Sequence, residues 1–162
     1  MTLGARGKLS VAAAVAVLLV GCGGSEEPAV EAAPRLTKPQ LVTKLGEICQ
    51  EHTDYQVKAI ERFDKKHGLP YGVNHEKASD AQIEEELVKV ILPIVRDNIH
   101  DLEELRPPRQ QEADFKAFLG ALEHGIAYSE RDPSWVVDAR PEPFSQARAL
   151  SWKLGTALCG QA

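Results

Sequence analysis

The stretch TKPQLVTKLGEICQEHTDYQVKAIERFDKKH, residues 37–67, decides the fold because it carries the signals of one complete amphipathic helix. Thr37 can cap this helix, and Gln40 stands at the spacing of a capping box. Gly68 and Pro70 end it. One face repeats apolar or ring-bearing residues at helical spacing. This predicted buried stripe contains Leu41, Leu45, Ile48, His52, Tyr55, Ala59 and Phe63.

Three further helical segments can cover that stripe. Ser79 begins the second segment, and Pro93 should kink or split it. The third spans about residues 110–129, and the fourth follows a loop that contains several prolines. No stretch shows the sustained alternation of a strand. The sequence therefore predicts an all-α domain over residues 36–162, a four-helix up-and-down bundle with the first and fourth helices as antiparallel neighbours.

The N-terminal residues have the layout of an export signal. Arg6 and Lys8 precede an apolar run from Leu9 to Val20 that only Ser10 interrupts. A basic segment followed by a short apolar segment is typical of secretory signals. The run is too short to span a bilayer comfortably, since a membrane helix needs about 20 apolar residues. A cleaved signal over residues 1–21 is therefore favoured over a permanent anchor helix.

The cleavage site indicates which type of signal this is. Leu19 to Cys22 read Leu-Val-Gly-Cys, which resembles the lipobox of bacterial lipoproteins. In that case the Cys22 thiol receives a diacylglycerol, and the amine left by cleavage is open to an N-acyl chain. The alternative is an ordinary secretory signal with a chance cysteine. Residues 22–35 contain mostly Gly, Ser, Glu, Pro and Ala, a composition that predicts a disordered tether.

Charge limits the partners that the exported chain can attract. The full sequence has 19 basic and 24 acidic residues, and removal of Arg6 and Lys8 changes the net charge from −5 to 17 − 24 = −7. An acidic domain has no electrostatic attraction for nucleic acid or for anionic lipid headgroups. We expect the lipid itself to make the membrane contact, on the extracytoplasmic face of the cell membrane.

Two cysteines remain after Cys22 is assigned to the lipid. They are Cys49 in the first helix and Cys159 near the C-terminus. Outside the cytoplasm such a pair should form a disulfide, which would tie the end of the fourth helix to the first. The alternatives are two free thiols or a metal site, although neither cysteine belongs to a zinc-ligand motif.

These features together resemble a loose group of small secreted lipoproteins of actinobacteria. The resemblance includes the lipobox, the acidic tether, the single cysteine of the first helix, the turn from Leu102 to Pro108, and the terminal Leu-Gly-Thr-Ala-Leu-Cys-Gly from Leu154 to Gly160. It covers nearly the whole chain, but its motifs are short and structural. It implies the helices and the disulfide, and it implies no activity.

His52 is the main candidate for chemistry, because it lies at the centre of the apolar stripe. A functional interpretation places His52, Tyr55 and Asn98 in a polar ligand pocket, with His52 as a possible metal ligand. The structural interpretation makes His52 a buried side chain bonded to Asn98, Tyr55 or a carboxylate such as Asp101. We favour the structural interpretation, because a single inward histidine rarely binds a ligand without a partner residue.

Two tryptophans are candidate anchors for a protein partner. Trp135 lies in a loop flanked by proline, and Trp152 lies off the apolar stripe of the fourth helix. Tryptophan is enriched at interface hot spots, although both residues can also cover the core. No catalytic motif, metal motif or cofactor motif occurs in the sequence. We therefore expect a non-catalytic module that binds an envelope protein or a small ligand, with a metal- or ligand-handling protein using His52 as the alternative.

Overall fold

The computed structural model describes residues 34–69, 77–138, 140–157 and 159. The predicted signal, Cys22 and all of the predicted tether except Pro34 and Arg35 lie outside those residues. Leu158, which the sequence places in the fourth helix, lies outside them as well.

The described residues form four longer helices, two short 3₁₀ helices at Arg109–Gln111 and Pro133–Val136, and no strand, which confirms the all-helical prediction. Helix α1 is Lys38–His67. Helix α2 has three consecutive segments, and its ordinary α-helical parts are Asp80–Glu86 and Leu92–Glu103. Helices α3 and α4 are Glu112–Arg131 and Ser145–Leu154. Within the described ranges, no helix is both long enough and apolar enough to cross a membrane.

The predicted capping signals act at the ends of α1 and α2. The Thr37 hydroxyl accepts a hydrogen bond from the Gln40 amide, and the Gln40 side chain accepts one from the Thr37 amide. Ser79 and Gln82 form the same capping box on α2. Gly68 ends α1 with φ 69°, a left-handed conformation that glycine adopts without steric cost. These contacts satisfy backbone groups that have no partner inside a helix.

Pro93 widens α2 instead of breaking it. The middle segment of α2, Leu87–Ile91, is π-helical, and the Leu92 amide donates to the Leu87 carbonyl five residues back. Proline has no amide hydrogen, and its ring clashes with the carbonyl one turn earlier in an ordinary α-helix. A wider turn directly before the proline relieves that clash, so the helix continues through the site of the predicted kink.

Consecutive helices pack against one another, α1 on α2, α2 on α3 and α3 on α4. The fully buried Phe144 lies against Gly125 of α3, where an added Cβ would come within 2.4 Å of the phenyl ring. Glycine at this position therefore allows α3 and the start of α4 to approach closely. The largest fully buried apolar side chains of the core are Phe118, Phe144, Leu41, Leu45, Leu92, Leu102 and Leu154.

The predicted disulfide between Cys49 and Cys159 is present, with the two Cα atoms 5.3 Å apart. Both cysteines are buried. Cys159 does not belong to α4 as expected, because α4 ends at Leu154 and Gly155 follows it with φ 100°. Helix α4 packs mainly on α3, and the chain meets α1 at Gly155, which lies beside Val42, and at Cys159. The link between the first and last elements is therefore made by the segment after α4.

Replacing both Cys49 and Cys159 with alanine should lower the free energy of unfolding by about 2–5 kcal/mol, the usual effect of removing a native disulfide from a small domain. Denaturant titrations of the two proteins, with and without reductant, measure this loss. Reductant should bring the wild-type midpoint close to that of the variant and leave the variant unchanged. A fully reduced wild-type protein that kept its midpoint would contradict the assigned role of the bond.

Candidate functional site

His52 joins α1 to α2 through Asp101, the carboxylate that the structural interpretation of this histidine names. The His52 Nε2–H group donates to Asp101 Oδ2 over 2.7 Å. The His52 side chain is 14% exposed and the Asp101 side chain 52%, so the bond lies at the edge of the helix interface.

Tyr55 and Asn98 do not join His52 in one cavity. Tyr55 is 52% exposed, so the expectation that it lies on the buried stripe of α1 is wrong. The Arg62 guanidinium lies 5.7 Å from the centre of the Tyr55 ring. Asn98 is partly buried one turn before Asp101, and its Oδ1 atom is buried with no hydrogen-bond partner among the described residues. The three candidate residues therefore have three different surroundings.

Tyr55 instead lines an open groove between α1 and α2, here called the α1–α2 groove, with a volume of about 400 Å³. Neither His52 nor Asn98 lines it. Its apolar lining includes Phe63 of α1 together with Pro93 and Ile94 of α2. The π-helical turn before Pro93 forms part of its α2 wall, and such turns occur frequently at functional sites.

Charged side chains form the rest of the groove lining. Arg62 and Lys66 come from α1, and Glu85, Lys89 and Asp97 come from α2. The Lys89 ammonium donates to Glu85 over 2.7 Å. That hydrogen bond, together with the nearby positive charges, lowers the pKa of Glu85 below its ordinary value. Glu85 and Lys89 are therefore a charged pair that neutralises itself.

The α1–α2 groove has no clear signal in the sequence. Its cations stand on two different helices, and each taken alone has the pattern of a solvated surface residue. The one available hint is Pro93 inside an amphipathic helix, since it predicts an irregular turn. The packing of two helices decides which of their side chains face one another. The hydrophobic period of one helix alone does not specify those pairs.

The two tryptophans have different environments. Trp135 is partly buried against the core, and its indole N–H donates to the Ser129 hydroxyl over 3.0 Å. The Ser129 hydroxyl in turn donates to the Gly125 carbonyl over 2.9 Å. Trp135 therefore covers the core, as one interpretation of the sequence expects. Trp152 is 66% exposed on α4, so it is the tryptophan accessible to a partner.

A polar cluster that the sequence did not reveal holds the connection between α3 and α4. The Arg140 guanidinium donates to Asp132 and to Ser134, and it pairs with Asp138 over 3.0 Å. The hydrogen bond from Arg140 and the one from Ser134 lower the pKa of Asp132, and the Asp132 contact raises the pKa of Arg140. These ion pairs fix a loop, and they leave the carboxylates occupied by the arginine.

Comparison with known proteins adds no relative. No family model, curated protein or solved structure matches this chain. In the part of the chain that the structure describes, no three His, Cys, Asp or Glu side chains are grouped so that they could hold a metal ion.

The His52–Asp101 bond should couple the two residues energetically. In a double-mutant cycle of His52→Ala and Asp101→Ala, we expect a coupling of about 0.5–1 kcal/mol in the free energy of unfolding, as for a partly exposed pair. Asp97→Ala, one turn earlier on α2, is the matched control and should show no coupling to His52. One equivalent of zinc, copper or iron that survives dialysis and is lost on His52→Ala would contradict the structural role of His52.

Proposed function

We propose that this chain is an extracytoplasmic lipoprotein whose helical domain is a non-catalytic binding module of the cell envelope. In this proposal a signal covering residues 1–21 is removed, Cys22 carries a diacylglycerol, and residues 22–35 connect the lipid to the domain. The partner is an envelope protein or a small ligand.

The observation that carries the proposal is the pairing of Cys49 with Cys159. Disulfides form and persist in oxidising compartments and are rare in the cytosol, so the bond supports export. The sequence has three cysteines, and the pairing leaves Cys22 as the third. That cysteine is the one that ends Leu-Val-Gly-Cys, directly after the apolar segment.

Acyl chains supply the membrane affinity that the protein surface lacks. Each buried methylene contributes about 0.8 kcal/mol, so the two chains of a diacylglycerol anchor stably and an added N-acyl chain anchors more firmly. With a net charge of 17 − 24 = −7 after cleavage, the domain gains nothing from anionic headgroups. The domain is thus held at the membrane by the lipid, with its surfaces available to partners.

The candidate base His52 does not line the α1–α2 groove, which supports a binding role for that groove over catalysis by His52. The buried hydroxyls of Ser129 and Ser151 donate to backbone carbonyls of their own helices, a structural role. A second candidate function is the binding of a small ligand without a metal. The α1–α2 groove supports this candidate, and its lining includes Tyr55 and not His52.

Cells fed with labelled palmitate should incorporate the label into this protein, and Cys22→Ala should abolish the incorporation. The variant should also leave the detergent-extracted membrane fraction or accumulate as precursor, because it lacks the acceptor thiol. Cys49→Ala is the matched control and should keep the label. An unlabelled wild-type protein, or a labelled Cys22→Ala variant, would overturn the proposal.

A further inference from the structure

The α1–α2 groove combines a ring-lined apolar surface with charged side chains at its edges. The rings of Tyr55, Phe63 and Pro93 line it, and Ile94 adds an aliphatic surface. The half-exposed Tyr55 ring can pack against a ligand ring, while the Phe63 ring is mostly buried and stacked on His67. A volume of about 400 Å³ lies within the range of small-molecule sites, which are mostly apolar with few polar groups.

The charged side chains of the groove determine which sign of charge a ligand must carry. Three cations, Arg62, Lys66 and Lys89, and two carboxylates, Glu85 and Asp97, line the groove; Glu85 is paired with Lys89 and also interacts with Lys66. Neither Arg62 nor Lys66 makes an ion pair within the described ranges, so both keep donors available. The local excess is one positive charge on a chain whose net charge is −5. This excess matches one monoanion and opposes the binding of a cation.

The two available cations stand where one anionic group can reach both. Arg62 and Lys66 are four residues apart on α1, which places them as neighbours on one helix face. The Arg62 guanidinium is positioned over the Tyr55 ring at 5.7 Å by a cation–π contact. A carboxylate on this edge can accept hydrogen bonds from both side chains, and charge-assisted bonds of this type are the strong ones.

We propose that the α1–α2 groove binds a ring-bearing monoanion of the aryl carboxylate class, with its carboxylate on Arg62 and Lys66 and its ring on the apolar lining. The proposal rests on the binding role argued above and names its ligand class. It does not depend on the lipid, so its failure leaves the acylation of Cys22 to be decided by palmitate labelling.

Equilibrium dialysis of the purified full-length protein against naphthoate tests the proposal, with equal detergent in both chambers. Naphthamide is the neutral comparison, since it keeps the rings and loses the charge. Wild-type protein should bind about one equivalent of naphthoate saturably, and naphthamide about tenfold more weakly, the effect of losing a charge-assisted hydrogen bond.

Substitutions at the groove edge assign the binding to named side chains. Arg62→Gln and Lys66→Gln should each weaken naphthoate binding by about tenfold and leave naphthamide binding unchanged. Lys65→Gln removes the same charge from the same turn of α1 without touching the groove, and should leave both affinities unchanged. Three results would overturn the proposal: no saturable naphthoate binding, equal binding of naphthoate and naphthamide by the wild type, or a loss in Lys65→Gln equal to that in Lys66→Gln.

Discussion

The bond between Cys49 and Cys159 fixes where the C-terminal part of the chain lies. Helix α4 is short, only residues Ser145–Leu154, and helices shorter than about 12–15 residues are marginal on their own. At its start α4 depends on Phe144 packed against Gly125, and after its end on the disulfide to α1. A cross-link across 110 residues is worth about 4.7 kcal/mol in the chain-entropy account. Since small domains have net stabilities of about 5–15 kcal/mol, this one bond is a large part of what keeps the domain closed.

The sequence predicted the features that depend on local chemistry. The capping box of α1, the Ser79 cap of α2, the glycine end of α1 and the irregularity near Pro93 follow from residues a few positions apart, and local rules govern them. The cysteine pairing was predictable because the export signal expected from the sequence and the number of cysteines leave few options. The end of α4 was placed too late, since Leu154 to Cys159 continue an apolar pattern that Gly155 interrupts with a left-handed backbone.

The middle of α1 shows that helical periodicity does not specify which residues of an apolar stripe are buried. Leu41, Leu45 and Cys49 are buried near its start and Phe63 near its end, but Tyr55 between them is half exposed. A stripe identifies the face of a helix, and burial of that face also requires a neighbouring element opposite each turn. Tyr55, which the sequence placed on the buried stripe, instead lines the open α1–α2 groove. Asp101 was one of several partners anticipated for His52, and the packing of α1 on α2 selected it.

The assignments of the three cysteines depend on one another: Cys49 and Cys159 form the disulfide, which leaves Cys22 as the thiol for the lipid that we propose. The intact mass of the protein purified from membranes without reductant tests this division most directly. The account predicts the mass of residues 22–162 with a diacylglyceryl group, with or without one further acyl chain, and two hydrogens fewer than the reduced chain. An unacylated mass, a lipid mapped to Cys49 or Cys159, or a mass that retains both thiol hydrogens would contradict it.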